Sequence, residues 1–190
     1  MKTLLLADQL FAGIDGNIRQ RQAIQITNGR IAAVGNREAL QKDLDPDTET
    51  IDLGNVCLAP GLIDSHTHVT LPGNSKTYAE MFTETDEMMA LIGVKNLQIH
   101  LKAGITSVRE HGARNKLGFV LKEGVQRGLF PSPRMLVSGR PITCTGGHFH
   151  MCNEVADGPD EIRRSVRRLV HEGADYIKIM ASGGGTVGTI

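Results

Sequence analysis

The apolar positions of this chain change rhythm near residue 60. Before it, short aliphatic and β-branched runs are broken by turn signals: KTLLLADQLF (2–11), RQAIQITNGRIAAVG (21–35) and TETIDLGNVCLAP (48–60). Runs of this kind predict strands. Asn28-Gly29, between AIQIT and RIAAVG, is a two-residue hairpin signal because both residues accept positive φ. The expectation is a small all-β unit over residues 1–59.

From residue 60 onward, strand-like and helix-like stretches alternate. GLIDSHTHV (61–69), GITSVREHG (104–112), RMLVSGRPI (134–142) and DYIKIMASGGG (175–185) predict strands. Between them, TDEMMALIGVKNLQIHLKAG (85–104) predicts a helix with Met88, Leu91, Val94 and Leu101 on one side. NKLGFVLKEGVQRGL (115–129) predicts a second helix, weakened by its glycines. GPDEIRRSVRRLVHEG (158–173) predicts a third. Pro159 suits its first turn, Ile162, Val166, Leu169 and Val170 form its stripe, and Gly173 stops it. Alternation of this kind implies a parallel sheet flanked by helices over residues 60–190.

Composition narrows the function only slightly. Lys plus Arg and Asp plus Glu are both 21, so the net charge is zero and broad electrostatic capture of nucleic acid or an anionic membrane is disfavoured. Hydrophobic residues at 40% suffice for a core. Cys57, Cys144 and Cys152 form no C-x-x-C pair, which predicts no disulfide framework and suits a reducing compartment. Asp8 interrupts the opening MKTLLLADQLF before the ~7–15 apolar residues of a signal-peptide core are reached. No run approaches the ~20 apolar residues of a membrane span. A cytoplasmic protein is expected.

Four of the 7 histidines fall in two H-x-H pairs, His66/His68 and His148/His150. On a strand, alternate residues share a face, so His66 and His68 project together beyond its carboxyl edge. Two neutral imidazoles on one strand make a rigid half of a metal site. A bare H-x-H favours the plainer reading, two core or surface histidines in a turn. The position at the end of the first strand of an alternating pattern favours the site, because α/β sheets build their sites at that edge.

APGLIDSHTHV (59–69) resembles the metal signature of the amidohydrolase superfamily. GITSVREHG, GRPITCTGGHFH and DYIKIMASGGG extend the resemblance in order, toward its imidazolonepropionase-like and prolidase-like branch, which includes Xaa-Pro dipeptidases. The resemblance implies that His66 and His68 are first-strand ligands of a centre of two divalent metal ions, with zinc expected. It implies that Lys178 is carboxylated and bridges the two ions. An ammonium has no lone pair to give a metal, whereas a carbamate is an anionic two-oxygen ligand. Lys178 also lies between Ile177 and Ile179, where an unpaired ammonium would be costly.

The second pair is implied to have another task. His148, and after it His150, would contribute to the substrate pocket, with Gly146 and Gly147 permitting close backbone approach. Arg140 is a candidate for holding a substrate carboxylate, with a structural ion pair as the alternative. SVREHG departs from the family's TVRDxG: Glu110 replaces Asp and His111 is added. His100 and His171 read as ordinary helix residues.

The implied activity is metal-dependent hydrolysis of carbon–nitrogen bonds in a small amide or dipeptide. A prolidase-like dipeptidase is the leading form. The alternatives are a cyclic-amide hydrolase or deaminase and, from another class, a non-catalytic metal-binding fragment. The fold the resemblance implies is α/β: a metal-dependent (β/α)₈ TIM barrel, which takes about 250 residues, preceded by a small β-sandwich-type domain, residues 1–59 here. Residues 60–190 carry only the barrel's first four βα units, so the chain is expected to be the N-terminal part of a larger enzyme, inactive alone. The missing half would supply further ligands as a continuation or companion chain. A homo-oligomer is expected, with neither nucleic acid nor membrane as partner.

Overall fold

A computed structural model describes residues 1–42, 44–74 and 83–182. The chain divides into two compact units, Met1–Pro60 and Gly61–Ile190.

The first unit contains β1 (Lys2–Phe11), β2 (Ile18–Thr27), β3 (Arg30–Asn36), α1 (Arg37–Lys42), β4 (Glu49–Asp52) and β5 (Cys57–Leu58). β1 is central: it pairs antiparallel with β2 and parallel with β4 and β5, and β3 closes the edge beyond β2. Asn28 and Gly29 turn the β2–β3 hairpin with φ of 50° and 74°, as a two-residue turn of this type requires. Leu4, Leu6 and Ala23 are buried beneath Leu40 and Leu44. The expected sandwich is therefore a single five-stranded sheet covered by a short helix among the described residues. The cover was hidden because REALQK is too short to show a helical period.

The second unit contains β6 (Leu62–Thr67), α2 (Asp86–Lys102), β7 (Ile105–Glu110), α3 (Leu117–Gln126), β8 (Arg134–Val137), β9 (Ile142–Thr143), β10 (Glu154–Val155) and α4 (Gly158–His171). β6, β7 and β8 form a parallel sheet in that order, and β9 pairs in parallel with β10. Val69, Leu97, Val108, Leu121, Met135 and Val137 form the core between the sheet and its helices. The fold is mixed α/β. No helix among the described residues is long and apolar enough to cross a membrane.

Three helical expectations shift in detail. The buried stripe of α2 is Met89, Gly93 and Leu97, while Met88 and Leu91 are exposed. Apolar residues surround this helix, so the sequence pattern did not single out the face. Gly93 marks it: a Cβ there would lie 2.6 Å from Leu121 Cδ1, so α3 packs closely on this face and a side chain would displace the tip of Leu121. The glycines of α3 likewise serve packing. Gly118 faces Glu110 and Val137, and Gly124 faces Phe130. In α4, Leu169 is buried and Ile162 and Val166 are partly buried against Ile142 and Ala156, but Val170 is exposed.

The fourth predicted strand is shorter than its apolar residues suggested. Around Lys178 the chain makes one parallel bridge, Ile142 with Ile179. Ile142 N–H donates to the Lys178 carbonyl at 2.8 Å and Met180 N–H to the Ile142 carbonyl at 2.8 Å. Asp175 turns its side chain onto the Val137 N–H at 2.8 Å, taking the place of a ladder bond there. The glycine-rich stretch from Gly183 onward lies outside the described residues.

Candidate metal centre

The carboxyl ends of β6 and β7 lie side by side, with Thr67 opposite Glu110. His66 sits near the end of β6 and His68 one residue beyond it. Their ring centroids are 5.6 Å apart and inclined at 62°, so both occupy the same strand end. The chain after His68 is pinned by Asn96 of α2, whose side-chain amide donates to the carbonyls of Val69 at 2.8 Å and Leu71 at 2.9 Å. The start of α2 is set by Thr85, which accepts from Met88 N–H.

His68 has a defined tautomer. Its Nδ1 lies 3.0 Å from the Gly112 carbonyl oxygen, which can only accept, so Nδ1 carries the hydrogen. Burial pushes its pKa below the ordinary 6.5, so the ring is neutral and Nε2 keeps its lone pair. A metal-binding imidazole is commonly held this way, with its other nitrogen on a carbonyl. Burial lowers the basicity of His68, His111 and His148, and the charge of nearby Lys178 adds to it. Thus His66, His68, His148 and Lys178, dispersed over 113 positions of sequence, share one electrostatic neighbourhood.

Glu110 and His111, which had no assigned role, also belong to this neighbourhood. Glu110 is fully buried, and desolvation pushes its carboxyl up to about 8. Its Oε2 accepts from Gly112 N–H at 3.1 Å, while Oε1 has no partner. The His111 ring lies 4.2 Å from that of His66 and 5.2 Å from that of Tyr176. Its Nε2 donates to the Ser65 carbonyl at 2.7 Å, leaving Nδ1 buried and unpaired. Tyr176 donates to the Glu110 carbonyl at 2.7 Å and lies under the Arg109 guanidinium. The departure of VREHG from the family pattern was the one sequence signal for these two residues.

Around the second H-x-H pair, His148 is half-buried and His150 exposed. Between them, Phe149 has φ of 53°, uncommon for a bulky residue, and its ring is buried. Burial of that ring holds the turn. His150 Nδ1 donates to the Gly147 carbonyl at 3.2 Å, and Asn153 donates to the His148 carbonyl at 3.1 Å. A small cavity of about 20 Å³ beside His68 is bounded by Gly112, Pro141, Phe149 and Met180, with room for one water.

Arg140 is committed elsewhere. Its Nε donates to Glu154 at 2.9 Å, its Nη2 to Glu172 at 2.8 Å and its Nη1 to the Asn115 carbonyl at 2.9 Å. The guanidinium thus ties Glu154 of β10 and Glu172 beyond α4 to the backbone ahead of α3, an ion-paired arrangement.

Among the described residues, no three His, Cys, Asp or Glu side chains form a ready-made metal cluster. The donor set nonetheless fits a metal: two imidazoles share a strand end, one is neutral with its lone pair free of the Gly112 bond, and a lysine able to become an anionic ligand lies nearby.

Residues 57–189 match the model of the amidohydrolase family. The chain belongs to the amidohydrolase family. This amidohydrolase is 27% identical to ochratoxinase of Aspergillus niger over 210 residues, covering 96% of the chain and 42% of the relative. It is 40% identical to imidazolonepropionase of Fusobacterium nucleatum over 81 residues, 43% of the chain and 18% of the relative. Its fold superposes on a Xaa-Pro dipeptidase crystallised with methionine in the active site. There the TM-score is 0.84 and the identity 26%, over 97% of the chain and 48% of the dipeptidase. The chain spans less than half the length of each of these relatives.

Proposed function

We propose that the intact protein is a metal-dependent hydrolase of carbon–nitrogen bonds, acting on small amides as a prolidase-like dipeptidase. The carrying observation is the tautomer of His68, which leaves Nε2 its lone pair, with His66 and Lys178 in the same neighbourhood. In this reading the second unit is the first half of a (β/α)₈ barrel, and two divalent ions, zinc by preference, are held by His66, His68 and Lys178. Bound there, they supply Lewis-acid polarisation of a carbonyl and acidification of water. Lys178 contributes as a carbamate: its neutral amine adds to carbon dioxide, an N–C bond forms, and one proton leaves to solvent.

The chain's own residues do the rest. Gly112 holds His68 in one tautomer. His148, with His150 further out, lines the approach of the substrate and offers ring nitrogens to its carbonyl or carboxylate. The likeness to a Xaa-Pro dipeptidase over nearly the whole chain supports the dipeptidase form. The segment 40% identical to an imidazolonepropionase favours a second reading, hydrolysis of a cyclic amide.

The test is metal analysis of the intact protein, followed by hydrolysis of a panel of Xaa-Pro dipeptides and cyclic amides with added zinc. Bound metal with dipeptide turnover is expected. Turnover of cyclic amides alone selects the second reading. A metal-free protein that neither binds zinc nor hydrolyses either class overturns both.

A further inference from the structure

We propose that Glu110 is a positioning residue that, through Gly112, sets the tautomer and direction of His68. The inference rests on the metal-hydrolase reading for its purpose, though not for its geometry. Gly112 joins the two residues. Its N–H donates to Glu110 Oε2 at 3.1 Å, and its carbonyl receives His68 Nδ1 at 3.0 Å. The two bonds fall on the peptide groups either side of the Gly112 Cα: Glu110 holds the one before it, and the carbonyl of the one after it decides which His68 nitrogen is protonated.

Gly112 could not hold that orientation by itself. Its φ is 142°, a conformation that side-chain-bearing residues rarely adopt, and glycine has wide freedom there. A Cβ would lie 2.4 Å from Pro141 Cγ, so the position admits no other residue. A glycine so required brings flexibility with it; the carboxyl of Glu110 restrains the peptide before Gly112, and Ala113 N–H, on the Gly139 carbonyl at 3.2 Å, restrains the one after it. Glu110 is well placed to do so because its own backbone is anchored. Its carbonyl accepts from Tyr176 Oη at 2.7 Å and from Ser138 N–H at 3.2 Å. Gly118, at the start of α3, leaves room for its side chain: a Cβ there would stand 3.3 Å from Oε2. Among the described residues nothing else uses the carboxyl, and Oε1 has no partner there. Burial without a second bond is costly, so the bond to Gly112 is the interaction that the side chain serves.

The experiment compares Glu110→Gln, which keeps an oxygen acceptor, with Glu110→Met, which fills a similar volume without one. Long-range proton–nitrogen NMR on metal-free, nitrogen-15-labelled intact protein reports the His68 tautomer, with a His68→Gln sample for assignment. Zinc titration gives the affinity. Wild type and Glu110→Gln should both show hydrogen on Nδ1. Glu110→Met should show a mixture and bind zinc at least about tenfold more weakly, the scale expected when a ligand loses its supporting partner. A folded Glu110→Met with the wild-type tautomer and affinity overturns the proposal, as does Glu110→Gln behaving like a disrupted site. If Glu110→Met does not fold, Glu110→Gln decides alone: a single Nδ1–H form upholds the proposal and a mixture overturns it. A wild-type protein that binds no zinc sinks the metal-hydrolase reading, while the tautomer still judges Glu110.

Discussion

His68 and Gly112 are joined across the ends of β6 and β7 by a hydrogen bond of 3.0 Å from imidazole Nδ1 to the carbonyl oxygen. The bond links two segments 44 residues apart and leaves one ring nitrogen of His68 with a lone pair. His66 lies at the same edge, 5.6 Å away between ring centroids.

Replacing either histidine should therefore remove metal. His66→Ala and His68→Ala should each weaken zinc binding by more than the 10- to 100-fold that loss of a supporting partner costs. His100→Ala is the control, because the His100 ring is occupied by the Asn96 carbonyl at 2.8 Å and by Asp64 at 3.3 Å. Zinc per chain at fixed free zinc, measured by elemental analysis, checks this. Equal zinc content in all three variants would refute the assignment.

Lys178 should carry carbon dioxide in the metal-loaded protein. A mass increase matching carbon dioxide, surviving gentle ionisation and lost on acidification, is the expected signature. Lys178→Ala should abolish hydrolysis, with partial recovery on adding a short carboxylate such as propionate. A metal-loaded, active protein with an unmodified lysine would sink the idea.

Much of this organisation could be read from the sequence, for identifiable reasons. The Asn28-Gly29 hairpin was legible because turn chemistry is local: both residues take the positive φ that the turn demands. The β6, β7 and β8 strands were legible from apolar runs between helices, and His66 and His68 from their spacing on one of those strands. Tertiary effects were not legible. The face of α2 is marked by the close approach at Gly93, which depends on Leu121 from another helix. The strand at Lys178 was foreshortened where Asp175 caps Val137. Glu110 and His111 stood out only as departures from a pattern, since burial and bonds to the backbone of Gly112 and Ser65 give them their surroundings.

Arg140 offers a sharp test between structural and binding roles. Its guanidinium is 13% exposed, and its partners Glu154 and Glu172 are 8% and 16% exposed. Removing one member of such a buried cluster strands the remaining carboxylates, at about 3 kcal/mol. Glu154 would keep Arg168 at 2.7 Å, which limits the damage. Arg140→Met should lower the unfolding midpoint in urea and leave KM for a dipeptide within about twofold in the folded enzyme. An unchanged midpoint with a raised KM would return Arg140 to substrate recognition.

Glu110 should leave a mark on the pH dependence of stability. Burial pushes its carboxyl from the ordinary 4.5 up to about 8 in the folded protein. Between those values the unfolded chain has released the proton while the folded one retains it. The folded state then binds more protons, so stability falls as pH rises through this window. Below about 4.5 both states are protonated and the cost is absent; above about 8 it is at its full value. One group contributes at most about 1.4 kcal/mol per pH unit. Glu110→Gln cannot ionise, so its stability should fall less steeply between pH 5 and 8. His68 and His111, whose pKa values burial lowers, contribute to both proteins and largely cancel in the difference. Urea unfolding of the metal-free pair at pH 5, 6, 7 and 8 checks the slope. Parallel curves would show that the Glu110 carboxyl ionises as readily in the folded protein as in the unfolded chain, and that it is not held neutral beside Gly112.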